Sequence, residues 1–221
     1  MVTYKLYLIR HGMTSGNRDG RYVGWTDLDL CKEGIEQLEE MKQKYEYPTV
    51  DEVYSSPLSR CLQTADIIYP DNEITVVEEL KELSMGDFEG KSFEELAHLS
   101  EYRLWMADTF RNTPPGSTES GEEFAMRIRS GIDMIFRDMV ARKITSAAVI
   151  THGGVLMGLM SAFAIPQLEP SAWATSNGGG FAVSMTTQMW MRDGGFEVLG
   201  HVPFGFSSGN DQRVKASLGI E

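Results

Sequence analysis

A chain of 221 residues, 42% hydrophobic and 24% charged, carries enough apolar side chain for one sizeable core. Its formal net charge of −12 argues against nucleic acid or anionic membranes as bulk partners, so an anionic ligand would need a local basic pocket. No apolar run reaches the length of a membrane span and none reads as a secretory signal; Cys31 and Cys61 show neither a Cys-x-x-Cys pair nor zinc spacing, so the expectation is a cytoplasmic protein with reduced thiols.

Residues 6–9, Leu-Tyr-Leu-Ile, form a short apolar run suited to a buried strand, followed by Arg10, His11 and Gly12. Burying an unpaired guanidinium or imidazole is costly, so the strand surfaces there, at the carboxyl end where open α/β sheets receive ligands. Residues 15–30 are polar and glycine-rich and read as loop. The spacing predicts a helix over 32–45, with Ile35, Leu38, Met41 and Tyr45 on its buried face. A second strand spans 50–55, and Ser56-Pro57 marks the start of a helix in which Leu58, Leu62, Ala65 and Ile68 recur at helical spacing. Arg60 then lies in a first helical turn, against the helix dipole, a placement that an anion at the helix start would relieve.

A third strand covers 73–77, and Gly86 and Gly90 frame a tight loop around Phe88. Residues 92–110 read as one helix, with Ser92 as cap and Glu95 at the capping-box position. A proline-containing loop over 112–121 leads to Ser120, which caps a long helix to about Lys143 with Phe124, Ile128, Ile132, Ile135 and Met139 buried. Residues 147–151 repeat the opening pattern: an apolar strand runs into His152-Gly153, and a buried helix follows over 155–164. Asp193-Gly194 predicts a hairpin turn between strands at 181–185 and 196–202, while 206–221 has no strong period and reads as a flexible tail. Strands alternating with helices predict an α/β fold, a three-layer α/β/α sandwich with a mostly parallel central sheet, in a single domain over 1–221.

Of four histidines, His98 and His201 lack any matching partner pattern. His11 and His152 each follow a buried strand and precede glycine, and Arg10 and Arg60 come from the same kind of position. Two histidines and two arginines without metal-binding carboxylates suit phosphoryl transfer, which needs positioning and charge stabilisation of equatorial oxygens. Arginine forks match such oxygens, nearby cations keep an imidazole uncharged and nucleophilic, and glycine lets the backbone approach a phosphate.

Residues 8–14 (Leu-Ile-Arg-His-Gly-Met-Thr), 55–65 (Ser-Ser-Pro-Leu-Ser-Arg-Cys-Leu-Gln-Thr-Ala), Leu80-Lys81-Glu82 with the 86–90 glycines, and Thr151-His152-Gly153 together resemble the signatures of the histidine phosphatase superfamily, the phosphoglycerate-mutase-like fold, in the family's order. The resemblance implies that His11 becomes phosphohistidine. It implies that Arg10, Arg60 and His152, with Gly153 beside it, clamp the phosphate, that Asn17 adds a contact, and that Glu82 protonates the leaving oxygen and then helps activate water. A carboxyl group in that role needs a raised pKa. Gln63 and Thr64 are expected to support Arg60, and Met13 and Cys61 to pack.

Family mutases carry an insertion just after the acidic glutamate; here residues 83–90 follow Glu82 directly, as in the phosphatase branch. The expectation is hydrolysis of a small phosphomonoester with no cofactor and no metal; the alternatives are a phosphoglycerate-mutase-type transferase and a non-catalytic sensor of phosphorylated ligands. Residues 205–209 match Gly-x-Ser-x-Gly, but no strand leads tightly into Ser207 and no histidine follows it, so a serine esterase is disfavoured. Tyr22 and Trp25 are expected to face the substrate, with Trp105, Phe110 and the proline loop as a lid. The sequence carries no signal for an oligomeric state.

Overall fold

The computed structural model describes residues 2–206. Seven strands, β1 (Thr3–Arg10), β2 (Glu52–Ser55), β3 (Ile74–Val76), β4 (Ser146–Thr151), β5 (Ala164–Ile165), β6 (Gly180–Thr186) and β7 (Phe196–Val202), form one sheet in the order β3-β2-β4-β1-β6-β7-β5. The helices are α1 (Ser15–Arg18), α2 (Lys32–Lys44), α3 (Ser59–Ile68), α4 (Phe93–Leu96), α5 (Ser100–Ala107), α6 (Gly121–Arg142) and α7 (Gly153–Phe163). Only β6 runs against its neighbours; the β1–β4, β2–β4, β2–β3 and β5–β7 pairs are all parallel.

The period-two alternation of each strand divides the core between the two faces of the sheet. Leu6, Leu8, Val149 and Val183 pack with Ile128, Ile132 and Met139 of α6 and with Leu156 and Leu159 of α7. Tyr7, Ile9, Ala148 and Ile150 pack instead with Leu38 of α2 and with Cys61, Ala65 and Ile68 of α3. The three-layer sandwich expected from the sequence follows from this division. The chain leaves β1 to build β2 and β3 on one side and later inserts β4 between β2 and β1. The carboxyl ends of β1 and β4 therefore meet where the strand order reverses, the usual place for a ligand crevice.

Local rules account for some of the element ends. Ser120 and Glu123 close a capping box at the start of α6, Lys143 ends it in a left-handed conformation at φ 59°, and all five apolar residues expected on its inner face are buried. Ser92 and Glu95 form the expected capping box, yet residues 92–110 do not make one helix. On a continuous helix Leu96 and Tyr102 would point about 120° apart. The break at extended Leu99 lets both enter the same core cluster.

Three further expectations are corrected. Ile35 is 42% exposed, because α2 buries Gly34, Leu38 and Met41 instead. Residues 187–195 replace the tight Asp-Gly turn with a wider π-helical turn over Met189–Asp193, closed by Gly194 at φ 63°. Trp105 does not belong to a lid: it is 6% exposed and packs with Tyr22, Phe88 and Tyr102 in one aromatic cluster, and the Tyr22 and Tyr102 hydroxyls lie 2.5 Å apart. Phe110 is exposed, and the tail expected over 206–221 lies, from 207 onward, outside the described residues.

Gly34 brings α2 down onto the loop that carries Met13; a Cβ there would run into the Met13 backbone carbonyl. Helix propensity favours alanine over glycine by about 1 kcal/mol, but overpacking against backbone costs about 1–3 kcal/mol. Gly34→Ala is therefore expected to lower stability and disturb the neighbouring His11 loop, read as a fall in Tm in thermal denaturation.

Candidate active site

Arg10 of β1 stands in register with Thr151 of β4, and the His11 amide extends the ladder by donating to the Thr151 carbonyl at 2.9 Å. The two histidines that follow these strands are thereby brought together, with ring centroids 5.2 Å apart in an edge-to-face arrangement. Both rings are buried.

His11 Nδ1 lies 2.7 Å from the Gly12 carbonyl oxygen. A carbonyl only accepts, so Nδ1 carries the proton and the Nε2 lone pair is left available. Burial is the largest influence holding the His11 pKa well below its ordinary 6.5, ahead of the Arg60 and Arg10 charges; the Gly12 hydrogen bond pulls weakly the other way. The sequence reading assigned this effect to the arginines, and the interior contributes more. Gly12 is itself fixed, its amide donating to Thr64 Oγ1 at 2.8 Å, while that hydroxyl donates to the Arg60 carbonyl at 2.6 Å. The support expected from Thr64 is thus extended to the His11 loop.

His152 is held from both sides. Arg60 Nε donates to its Nδ1 at 3.3 Å, which assigns the proton to Nε2, 2.8 Å from Ser56 Oγ. Its pKa too is pushed well below 6.5, by burial first and then by His11 and the surrounding arginines. Cys61 packs beside this ring with its thiol pKa raised to about 12, chiefly by burial, so it is a protonated packing group.

Arg60, fully buried, also donates to the Gly24 carbonyl at 2.7 Å and the Thr26 carbonyl at 3.0 Å. Arg10 Nη1 donates to the Thr175 carbonyl at 2.7 Å, and its buried Nε has no partner among the described residues. Gly153 lies against this guanidinium; a Cβ there would come within 3.3 Å of Arg10 Nε. Among the described residues, neither arginine forms an ion pair.

Asn17 completes a capping box at α1, its Oδ1 accepting from the Thr14 amide and hydroxyl, each at 3.1 Å, and from Asn177 Nδ2 at 3.4 Å. Its carbonyl oxygen being occupied, the side chain has an NH2 group to offer a ligand, the polarity a phosphate oxygen requires. Asn177 Nδ2 also donates to the His11 carbonyl at 2.9 Å. Glu82 is buried, with Oε1 accepting from the Leu83 amide at 2.9 Å and Oε2 from the Gly154 amide at 2.8 Å. Burial raises its carboxyl pKa above the ordinary 4.5 against the opposing pull of these bonds and of Arg60 and Arg10. A side chain on Gly154 would overlap that carboxylate.

The structure thus gathers Arg10, His11, Asn17, Arg60, Glu82, His152 and Gly153 into one connected cluster. Ser56, Asn177 and the Arg127–Glu119 ion pair behind Glu82 belong to it as well and were not singled out from the sequence. Ser56 stood inside the Ser-Pro pattern read as a helix start, which was the one signal available. Trp25 is part of the same wall: it is partly exposed, and its Nε1 donates to the Glu82 carbonyl at 2.7 Å. His98 is exposed, His201 stacks on Phe181, and Ser207 lies outside the described residues. No described group of three His, Cys, Asp or Glu side chains is arranged to hold a metal ion, and no described helix is long and apolar enough to cross a membrane.

Known proteins are similar to the chain in sequence and in fold. The chain is 30% identical over 197 residues, 86% of its length and 79% of the relative's, to a protein named metal-independent phosphoserine phosphatase from Arabidopsis thaliana. It is 30% identical over 161 residues, 71% of its length and 77% of the relative's, to adenosylcobalamin/alpha-ribazole phosphatase from Escherichia coli K12. Its fold matches the crystal structure of phosphoglycerate mutase from Bacillus anthracis with a TM-score of 0.72 at 20% identity, over 98% of this chain and 96% of that one. A family model described as histidine phosphatase superfamily (branch 1) matches residues 6–192, and the chain belongs to that family.

Proposed function

We propose that the protein hydrolyses a small phosphate monoester through a phosphohistidine on His11. The observation that carries this reading is one buried and one partly buried guanidinium group, Arg60 and Arg10, held by neutral carbonyls without an ion pair among the described residues, beside an imidazole whose Nε2 lone pair is free. A phosphate dianion supplies the missing charge. The phosphatase names of the relatives support hydrolysis.

On this reading Arg10, Arg60, Asn17 and the backbone at Gly153 hold the phosphoryl oxygens, together with His152, whose Nε2–H the anion takes over from Ser56. His11 Nε2 attacks phosphorus as the bond to the leaving oxygen breaks, and the Glu82 carboxyl gives that oxygen its proton. The Gly12 carbonyl steadies the positive charge that develops on the phosphorylated ring. Glu82, now a carboxylate, takes a proton from water as the water oxygen attacks phosphorus. The Nε2–P bond breaks, inorganic phosphate leaves, and Glu82 is again protonated. A bound dianion raises the Glu82 pKa further, because like charges disfavour its ionisation. None of these steps calls for a cofactor or a metal. The chain is read as one domain working in the cytoplasm, where Cys31 and Cys61 remain free thiols.

Residues 83–90 support the hydrolase over the mutase. Only a short turn at Gly86–Phe88 separates Glu82 from Gly90, leaving little chain to shield the phosphohistidine from water. A mutase would return the phosphoryl group to a second hydroxyl and release little inorganic phosphate.

His11→Ala is expected to reduce turnover by several orders of magnitude while inorganic phosphate still binds. Rapid-quench labelling with an aryl phosphate should trap acid-labile phosphoprotein in the wild type and none in the variant; absence of label in a wild type that binds phosphate would favour a sensor. Glu82→Gln is expected to slow alkyl phosphates by about 10²–10⁴-fold and aryl phosphates much less, since good leaving groups need no proton. For alkyl esters the wild-type kcat/KM, which reports the free enzyme, should fall on the acid side only well below pH 6.5, where His11 protonates, and on the alkaline side as Glu82 ionises. The alkaline limb should vanish in Glu82→Gln, while the substrate's own ionisation is common to both profiles. Turnover measured in excess chelator should be unchanged.

A further inference from the structure

Behind Glu82, α6 sends Arg127 into the protein interior. Its guanidinium donates to the carbonyls of Glu79 at 2.8 Å, Lys81 at 2.9 Å and Glu82 at 3.2 Å. The same group pairs with Glu119, Nε to Oε2 at 2.9 Å and Nη2 to Oε1 at 2.5 Å. Glu119 Oε1 in turn accepts from the Ser84 amide at 3.2 Å. Ser117 donates its hydroxyl to the Ser84 carbonyl at 2.9 Å, and the Asp87 amide donates to the Pro115 carbonyl at 2.7 Å. One ion pair therefore grips the backbone on both sides of Glu82 and ties it to the proline loop over 112–120. The Glu82 carbonyl receives a second donor, Trp25 Nε1.

The side chains of this pair are only 21% and 9% exposed. Desolvation at such a site consumes most of the Coulombic gain of the ion pair itself. The bonds are instead concentrated on the segment that delivers one carboxyl. That carboxyl has little freedom left, since both oxygens accept from backbone amides.

We infer that Arg127 and Glu119 are positioning residues for proton delivery by Glu82: they fix the backbone that aims its carboxyl at the leaving oxygen, and they couple that aim to the 112–120 loop. The inference rests on the reading of Glu82 as the acid. A displacement of about 1 Å at a catalytic group costs up to 10²-fold in rate. Its effect should grow with the need for a proton, which a purely structural contact has no reason to follow.

The test measures kcat/KM for a series of aryl and alkyl phosphates of increasing leaving-group pKa in the wild type, Glu82→Gln, Arg127→Met and Glu119→Gln. The expected result is a steeper dependence on leaving-group pKa in all three variants. Arg127→Met should lose about 10–10²-fold more on alkyl than on aryl esters and still form phosphohistidine from the aryl ester. If Arg127→Met does not fold, Arg127→Lys and Glu119→Gln carry the same comparison. A steeper slope in Glu82→Gln, with Arg127 and Glu119 variants that slow every ester equally or not at all, overturns the inference and leaves the acid role intact. An unchanged slope in Glu82→Gln overturns the acid role and the inference with it.

Discussion

Arg10 and Arg60 carry positive charge into the protein interior, and the chain holds each of them with neutral acceptors. Much of the surrounding structure answers to that constraint. The carbonyls of Gly24, Thr26 and Thr175 orient the guanidinium forks without cancelling their charge, which a carboxylate would do. The same two charges, added to burial, keep His11 and His152 neutral. Glu82 lies within this field, and burial still raises its pKa above the ordinary value. The site thus combines uncharged bases with a carboxyl biased toward its protonated form, in surroundings arranged for an anion.

Proton placement gives the arrangement a direction. The Gly12 carbonyl takes the Nδ1 proton of His11, and the Arg60 Nε–H occupies Nδ1 of His152. The two rings therefore present different chemistry: His11 offers a lone pair at Nε2, while His152 has its Nε2 proton engaged with Ser56. An identical pair of strand-to-histidine junctions is made unequal by one hydrogen bond apiece. Residue pattern treats the two junctions alike, and only the family resemblance separates them, because the distinguishing partners are a backbone carbonyl and an arginine distant in the chain.

Where pattern and physics coincide, the fold was legible. The α6 stripe from Phe124 to Met139 and the alternation in β1 and β4 need only a period and an apolar core to be read. Where a glycine or a tertiary contact decides, they were not. Gly34 carries no hydrophobic signal, yet it sets which face of α2 turns inward. The helix expected over 92–110 breaks because Leu96 and Tyr102 both reach a core cluster that a straight rod would let only one of them enter. Arg10, His11, Arg60 and His152 stood out by position at strand and helix ends. Glu82 was distinguished from Glu78, Glu79 and Glu89 only by family resemblance, since the property that separates it is burial. Arg127 was invisible because three of its partners are carbonyl oxygens, which every residue has, and the fourth, Glu119, is one acidic residue among many in the chain.

The lone reversed strand has an architectural consequence. Because β6 runs opposite to β1, its beginning, rather than its end, reaches the edge of the sheet where β1 and β4 finish. Residues 175–179 arrive there from outside the βα connections and supply the Thr175 carbonyl to Arg10, the Asn177 amide to His11 and the Gly178 amide to the Arg10 carbonyl. One wall of the crevice is thereby made by the connection that leads into β6. Lengthening or trimming that connection would remodel the surroundings of Arg10 and His11 without shifting the helices that present His152 and Arg60, giving the fold a separate handle on what the crevice admits.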